Sequence, residues 1–340
     1  MMAAMKWSVL DQSPTSAGSS EASAIRHSLR LAQDCDRLGY ERYWLSEHHN
    51  LVSVAGTAPE VLAAAIAATT RRIRVGSAGV MLPHYSALKV AEQFLVLEAI
   101  APGRIDLGVG RAPGSDGLTA RALNPHANVD DFPRQVQDLQ LWVSGLPLPQ
   151  SHPYRAITAH PQSETRPQLW ILGSSAYGAQ LAAYLGLPYA FAYFFNDGAG
   201  VDEALALYRR LFRPSSVLAR PQATICVWAL AADTAGEAAR LATAREHWRV
   251  GFEKGVRAPL ISPEDAAAYA YTPAEQATLE RLRAEALVGT APQVAERLHA
   301  LAARLELAEV VINTWTFDPE ARRRSYALLA AAFGLDEAPS

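Results

Sequence analysis

The chain has little cysteine. Cys35 and Cys226 stand far apart and form no CxxC or zinc-ligand spacing. That excludes a disulfide framework, and both thiols read as core or helix-face residues in a reducing compartment. Long apolar runs are also missing, for no uninterrupted stretch approaches the roughly 18 residues of a membrane span. The opening "MMAAMKWSVLDQS" carries a lysine but no apolar signal core. A cytoplasmic protein with no membrane partner is expected. Excess charge of one sign is absent: 31 basic and 34 acidic residues are interspersed, for a net charge of −3. No basic face for nucleic acid results. The one dense cluster, Arg322, Arg323 and Arg324, reads as the solvated face of a C-terminal helix.

Metal-ligand patterns are lacking too. Neither HxH nor HExxH occurs, and His84, His126, His152 and His160 have no paired spacing. A metal-dependent hydrolase on a barrel usually offers HxH after its first strand, where this chain has Asp11 and Gln12, so that class is a weak rival. A dinucleotide fingerprint fails as well. "GVGRAPG" at 108–114 has its third glycine one position late and a proline where a helix should start.

What is present suits a large core. Half the residues are apolar and 19% are charged, a globular composition. A length of 340 residues suits one large α/β barrel as well as two domains. Strand and helix patterns then alternate along the chain. Strands are expected at 6–10, 43–46, 73–78 and 105–108, with helices at 21–38, from 58 and at 87–99. A helix near 131–143 precedes "SGLPLPQSHPYRAITAHPQSETRP", whose prolines and polar residues predict a long irregular connection. "QLWILG", "PYAFAYF", "QATICVWALAA" and "AEVVINTW" supply four further strands. An interrupted helical insertion, 245–292, separates the last two.

Eight strands, each followed by a helix, predict a (β/α)8 TIM barrel, a single domain over 1–340. Chemistry in such a barrel sits at the C-terminal ends of the strands. Those ends are Asp11 and Gln12; Glu47, His48 and His49; Ala78 and Gly79; Gly110 and Arg111; Ser174 and Ser175; Phe195 and Asn196; Thr314 and Trp315.

The stretches "YERYWLSEHHN", "IRVGSAGVMLPHYSALKVAEQFLVLEAIAPGRIDLGVGRAPG" and "LGSSAYGAQLAAYLGLP" resemble the bacterial luciferase-like flavin monooxygenases, in order and with similar spacing. The likeness is strongest to the single-component branch that includes polyketide-tailoring enzymes. It implies a barrel that binds reduced FMN delivered by a flavin reductase, or in relatives the deazaflavin F420. With O2 the reduced flavin would form a C4a-hydroperoxyflavin that oxidises a small apolar or aromatic molecule. The resemblance also implies a homodimer, for which the alanine-rich helix at 58–68 offers a flat face. Two alternatives stay open on the same barrel: an F420-dependent oxidoreductase and a flavin-binding protein without turnover.

Each implied site residue has a physical reading. Gly173, Ser174 and Ser175 lie at a strand-to-helix turn, where free helix N–H groups can hold the flavin phosphate; an ordinary cap would look the same. Here the chain departs from the luciferases, with Ser174 in place of a glutamate and Gly178 in place of a threonine. Arg111 can reach that phosphate as a bidentate cation, and Gly110 allows close backbone approach. Ala78 and Gly79 are small enough for a flat ring to lie against the backbone. In the family the matching pair is joined by a cis peptide; a β-bulge would also suit the composition. The resemblance assigns His48 to proton handling near the flavin, leaving His49 and Glu47 as orienting groups, with Glu47 a candidate partner for a histidine N–H. "FAYFFN" and "TWTF" are candidate aromatic walls, and the insertion at 245–292 is a candidate lid.

Overall fold

The computed structural model describes residues 5–335, so both extremities of the expected 1–340 domain lie outside the described residues. The strands are β1 (Lys6–Asp11), β2 (Arg42–Leu45), β3 (Arg74–Met81), β4 (Ile105–Gly110) and β5 (Gln168–Gly173). They continue with β6 (Tyr189–Phe191), β7 (Ala223–Ala232), β8 (Leu287–Thr290) and β9 (Glu309–Asn313). Pairing runs β6-β5-β4-β3-β2-β1-β9-β7, and β6 pairs with β7 to close the ring. Every pairing in that ring is parallel, which makes it the closed eight-stranded barrel that the alternation predicts.

Helices follow the strands: α1 (Glu21–Arg37), α2 (Pro59–Thr69), α3 (Ala87–Ile100), α4 (Gly117–Leu123), α5 (Phe132–Ser144) and α6 (Ala176–Leu185). The second half adds α7 (Val201–Leu211), α8 (Ala235–Glu253), α9 (Pro263–Ala268), α10 (Pro273–Glu285), α11 (Ala291–Arg304) and α12 (Pro319–Phe333). Their ends follow local chemistry. Ser20 caps α1 by accepting from the Ser23 amide, Pro59 opens α2, and Gly186 ends α6 at φ +64°. The proline-rich stretch before β5 has neither helix nor strand beyond its first residue. The insertion differs from expectation in one respect. It carries β8, which lies outside the ring and pairs with the far half of β7, from Ala229 to Ala232. No described helix is long and apolar enough to cross a membrane.

Side chains alternate across the strands. Trp7 and Val9 enter the large core between ring and helices, whereas Leu10 turns inward to meet Trp44, Trp170, Cys226 and Val311. The N-terminal end of the barrel is closed by ions. Arg42 donates to Asp106 at 2.8 Å and to Glu309 at 2.8 Å, and Arg74 donates to Asp106 at 2.6 Å. Those pairs sit at the face of a barrel that serves stability rather than chemistry.

The arginine cluster needs correction. Arg323 and Arg324 bond to Asp34 and Asp233 near the surface, but Arg322 is only 4% exposed. Its Nη2 donates to Asp11 Oδ1 at 2.7 Å and its Nε to the Thr314 carbonyl at 2.7 Å. Helical spacing is the reason: Arg322, Ser325, Tyr326 and Leu329 share the buried stripe of α12. Burial raises the Asp11 pKa, but the Arg322 charge and the hydrogen bonds outweigh it, so the carboxyl stays below its ordinary range.

Candidate active site

The C-terminal ends of the strands surround a cleft of about 240 Å³. His48, Ala78, Gly79, Gly110, Arg111, Gly173, Ser174 and Ser175 all line it, although four different strand ends deliver them. Residues that the sequence reading did not assign to the site join them, notably Trp44, Tyr177 and Cys226. Trp44 and Cys226 are inward positions of β2 and β7, and a period-two count along each strand would have found them.

The floor of the cleft is backbone. Ala78 and Gly79 are joined by a cis peptide bond. The pairing of β3 with β4 also shifts register between Ser77 and Val80, so a cis bond and an irregularity coexist here. A Cβ on Gly79 would meet the Gly108 carbonyl oxygen at 2.6 Å and collide with the Leu172 side chain. Only glycine fits that approach.

One wall is cationic. Ser175 caps α6 without a side-chain hydrogen bond, which leaves the first-turn amides open toward the cleft. Arg111 is exposed and lies 3.9 Å over the Tyr177 ring, with no hydrogen bond or salt bridge among the described residues. A helix N-terminus beside an uncommitted guanidinium can hold a phosphate dianion. The glycine at 178 has a steric reason, since a Cβ there would press on the Tyr189 ring at 3.3 Å.

The opposite wall carries the histidines, and they separate. His48 lines the cleft; its Nδ1 lies 3.1 Å from Ser46 Oγ, and its Nε2 has no partner among the described residues. Burial pushes its pKa down to about 4, with a smaller contribution from His49. The imidazole is therefore neutral at pH 7 and can accept a proton. His49 faces away, with Nε2 2.8 Å from Glu47 Oε1. Glu47 is buried and also accepts from the Tyr85 hydroxyl at 2.7 Å and the Met81 amide at 3.0 Å. It fastens the end of β2 to the end of β3.

A second cleft of about 370 Å³ adjoins the first. Gln12, His48, Phe194 and Phe195 line both, so the two meet at His48. Trp248, Phe252 and Trp315 form its aromatic side. Of the residues expected as aromatic walls, Phe194, Phe195 and Trp315 take that place; Phe191 lies at the first cleft but is fully buried in the core. Asn313 donates to Gln12 Oε1 at 2.6 Å, while its own Oδ1 is buried without a partner. Among the described residues no group of three or more His, Cys, Asp or Glu could hold a metal ion.

Known proteins share this architecture. The family model for luciferase-like monooxygenases matches residues 5–306. A protein of Escherichia coli strain K12 named "Luciferase-like monooxygenase" is 40% identical over 325 residues, 95% of each chain. The "N-acetyl-S-alkylcysteine monooxygenase" of Bacillus subtilis strain 168 is 38% identical over 334 residues, covering 96% of this chain and 98% of its own. The crystal structure of apo-MsnO8 superposes with a TM-score of 0.89 at 35% identity, covering 98% of this chain and all of that one. With that match along most of its length and a barrel of the same form, the chain belongs to the luciferase-like monooxygenase family.

Proposed function

We propose that the chain is a flavin-dependent monooxygenase that takes reduced FMN from a separate reductase and, with O2, oxidises a small organic molecule at the barrel mouth. The observation that carries this reading is the uncommitted cationic wall, Arg111 beside the open amides of α6, next to the small-residue floor of Ala78 and Gly79. The residues present fit the cofactor: phosphate against Arg111, Ser174, Ser175 and Gly173, and the ring system over Ala78, Gly79 and Gly110. Reduced FMN bound there supplies the electrons that activate O2. The protein's own part is to bind, orient and exclude water, and to move a proton at His48 Nε2. The segment 245–292 contributes Arg245, Trp248 and Phe252 to the second cleft and is assigned as the lid over bound substrate.

Spectral titration of the apoprotein with reduced FMN, oxidised FMN and F420 tests the reading. Reduced FMN should bind more tightly than oxidised. Binding of F420 alone would make the protein an F420-dependent oxidoreductase. N-acetyl-S-alkylcysteines, for which the Bacillus subtilis relative is named, are the first substrates to try. Absence of substrate-dependent O2 uptake with every compound in such a panel would favour a flavin binder without turnover. The assembly is assigned as a C2 homodimer, because Val61 on α2 and Val96 and Ile100 on α3 leave apolar side chains in water. Light scattering that finds only monomer at micromolar concentration removes this assignment.

A further inference from the structure

Arg245 lies on α8, lines the second cleft and is only 9% exposed. Its guanidinium sits 4.1 Å from the Trp228 ring centroid. Among the described residues it makes no hydrogen bond and no salt bridge, which is costly for a buried cation. The carboxylates near it are engaged elsewhere. Asp197 bonds to Arg281 at 3.1 Å and lies 3.9 Å from Arg249; Glu253 takes Arg249 at 3.2 Å and Arg281 at 3.0 Å. Glu246, the next residue on the helix, bonds to Arg283 at 2.6 Å. One positive charge is left unmatched, and it borders an open cleft. Burial and the neighbouring Arg249 push its pKa down to about 9, against the more distant pull of Asp197 and Glu246.

The surroundings describe what could supply one. Arg245, Trp248, Arg249 and Phe252 recur at the spacing of one helix face, and all line the cleft. Trp248 packs in tilted contact against Trp315, with ring centroids 4.6 Å apart, and against Phe252 at 4.9 Å. The indole nitrogens of Trp248 and Trp315 are buried without partners. The cleft thus has an aromatic side and two guanidinium groups, of which Arg249 is paired with Glu253 and Arg245 is not paired, and it meets the candidate flavin cleft at His48.

We propose that Arg245 anchors a carboxylate of the substrate, whose apolar body lies along Trp248, Phe252 and Trp315 while its reacting end reaches His48. The substrate class is accordingly a small organic monocarboxylate. A guanidinium presents the paired donors that match a carboxylate, and its contact with the Trp228 ring supports it from one side. This proposal rests on the reading of the barrel mouth as the oxidation centre.

The test is calorimetric titration of the full-length protein, with and without oxidised FMN. The probes are 3-phenylpropionate, 6-phenylhexanoate and N-acetyl-S-benzylcysteine, each beside its primary amide. At least one acid should bind saturably, with its amide weaker by about tenfold to a hundredfold. Arg245→Gln should bring the acid down to the affinity of the amide and leave the amide unchanged, while Arg245→Lys keeps part of the preference. Equal binding of acids and amides by the parent, which needs no variant to fold, overturns the proposal. So does an acid preference that survives in Arg245→Gln, or failure of all three acids to bind. Loss of FMN binding would instead remove the proposed flavin chemistry and leave the comparison of acid with amide intact.

Discussion

Glu47 Oε1 lies 2.8 Å from Nε2 of His49, so the carboxylate at the end of β2 serves the second histidine of the pair and leaves His48 to the cleft. Adjacent residues divide the work because one of them is spent on holding strand ends together. His48→Ala should therefore bind reduced FMN about as the parent does, yet lose roughly 10² to 10⁴ in turnover. His49→Ala should act mainly on stability, by about 1–3 kcal/mol, because Glu47 would lose a buried partner. Substrate-dependent O2 uptake and urea unfolding measure the two effects. If the His49 variant loses the turnover and the His48 variant the stability, the assignments are reversed.

Proton linkage gives an independent check on His48. With a folded-state pKa of about 4 against an ordinary 6.5, the unfolded chain takes up the proton first as pH falls. This group therefore costs no stability above pH 6.5, and its cost grows as pH drops from 6.5 toward 4. His48→Gln should flatten the pH dependence of stability across that window. An NMR titration of the apoprotein that placed His48 near 6.5 would remove the effect and with it the argument for a neutral ring.

Phosphate recognition predicts a selective loss. Arg111→Ala should weaken FMN about tenfold to a hundredfold, the worth of a charge-assisted hydrogen bond, and should hardly change riboflavin. Fluorescence titration with both ligands decides it. Equal weakening would make Arg111 a structural residue whose main contact is the Tyr177 ring.

Arg322 separates a buried arginine from a solvated one. Replacing it with Ala leaves Asp11 charged and buried, a loss of about 3–5 kcal/mol for one half of a buried pair. The double variant Arg322→Met with Asp11→Leu should recover much of that. Thermal or urea unfolding of Arg322→Ala within about 0.5 kcal/mol of the parent would mean that the residue is solvated after all.

The alternation of strand and helix determined the barrel, because each period is a local property of ten or so residues. Once the barrel was established, its geometry nominated the strand ends, and His48, Ala78, Gly79, Gly110, Arg111, Gly173, Ser174 and Ser175 came from that rule and from family likeness. All of them line one cleft. What the sequence could not decide were relationships between residues far apart along it. Arg322 looks like one of three surface arginines until α12 turns it toward Asp11, across 311 positions of chain. Strand β8 is four residues long and takes its form from the protruding half of β7, too short for any periodicity to reveal. Arg245 reads as an ordinary helix arginine, and only packing shows that every nearby carboxylate already has another partner. Local patterns decide which elements form, whereas charge matching and burial are sums over everything within a few ångströms, and those neighbours are chosen by the fold.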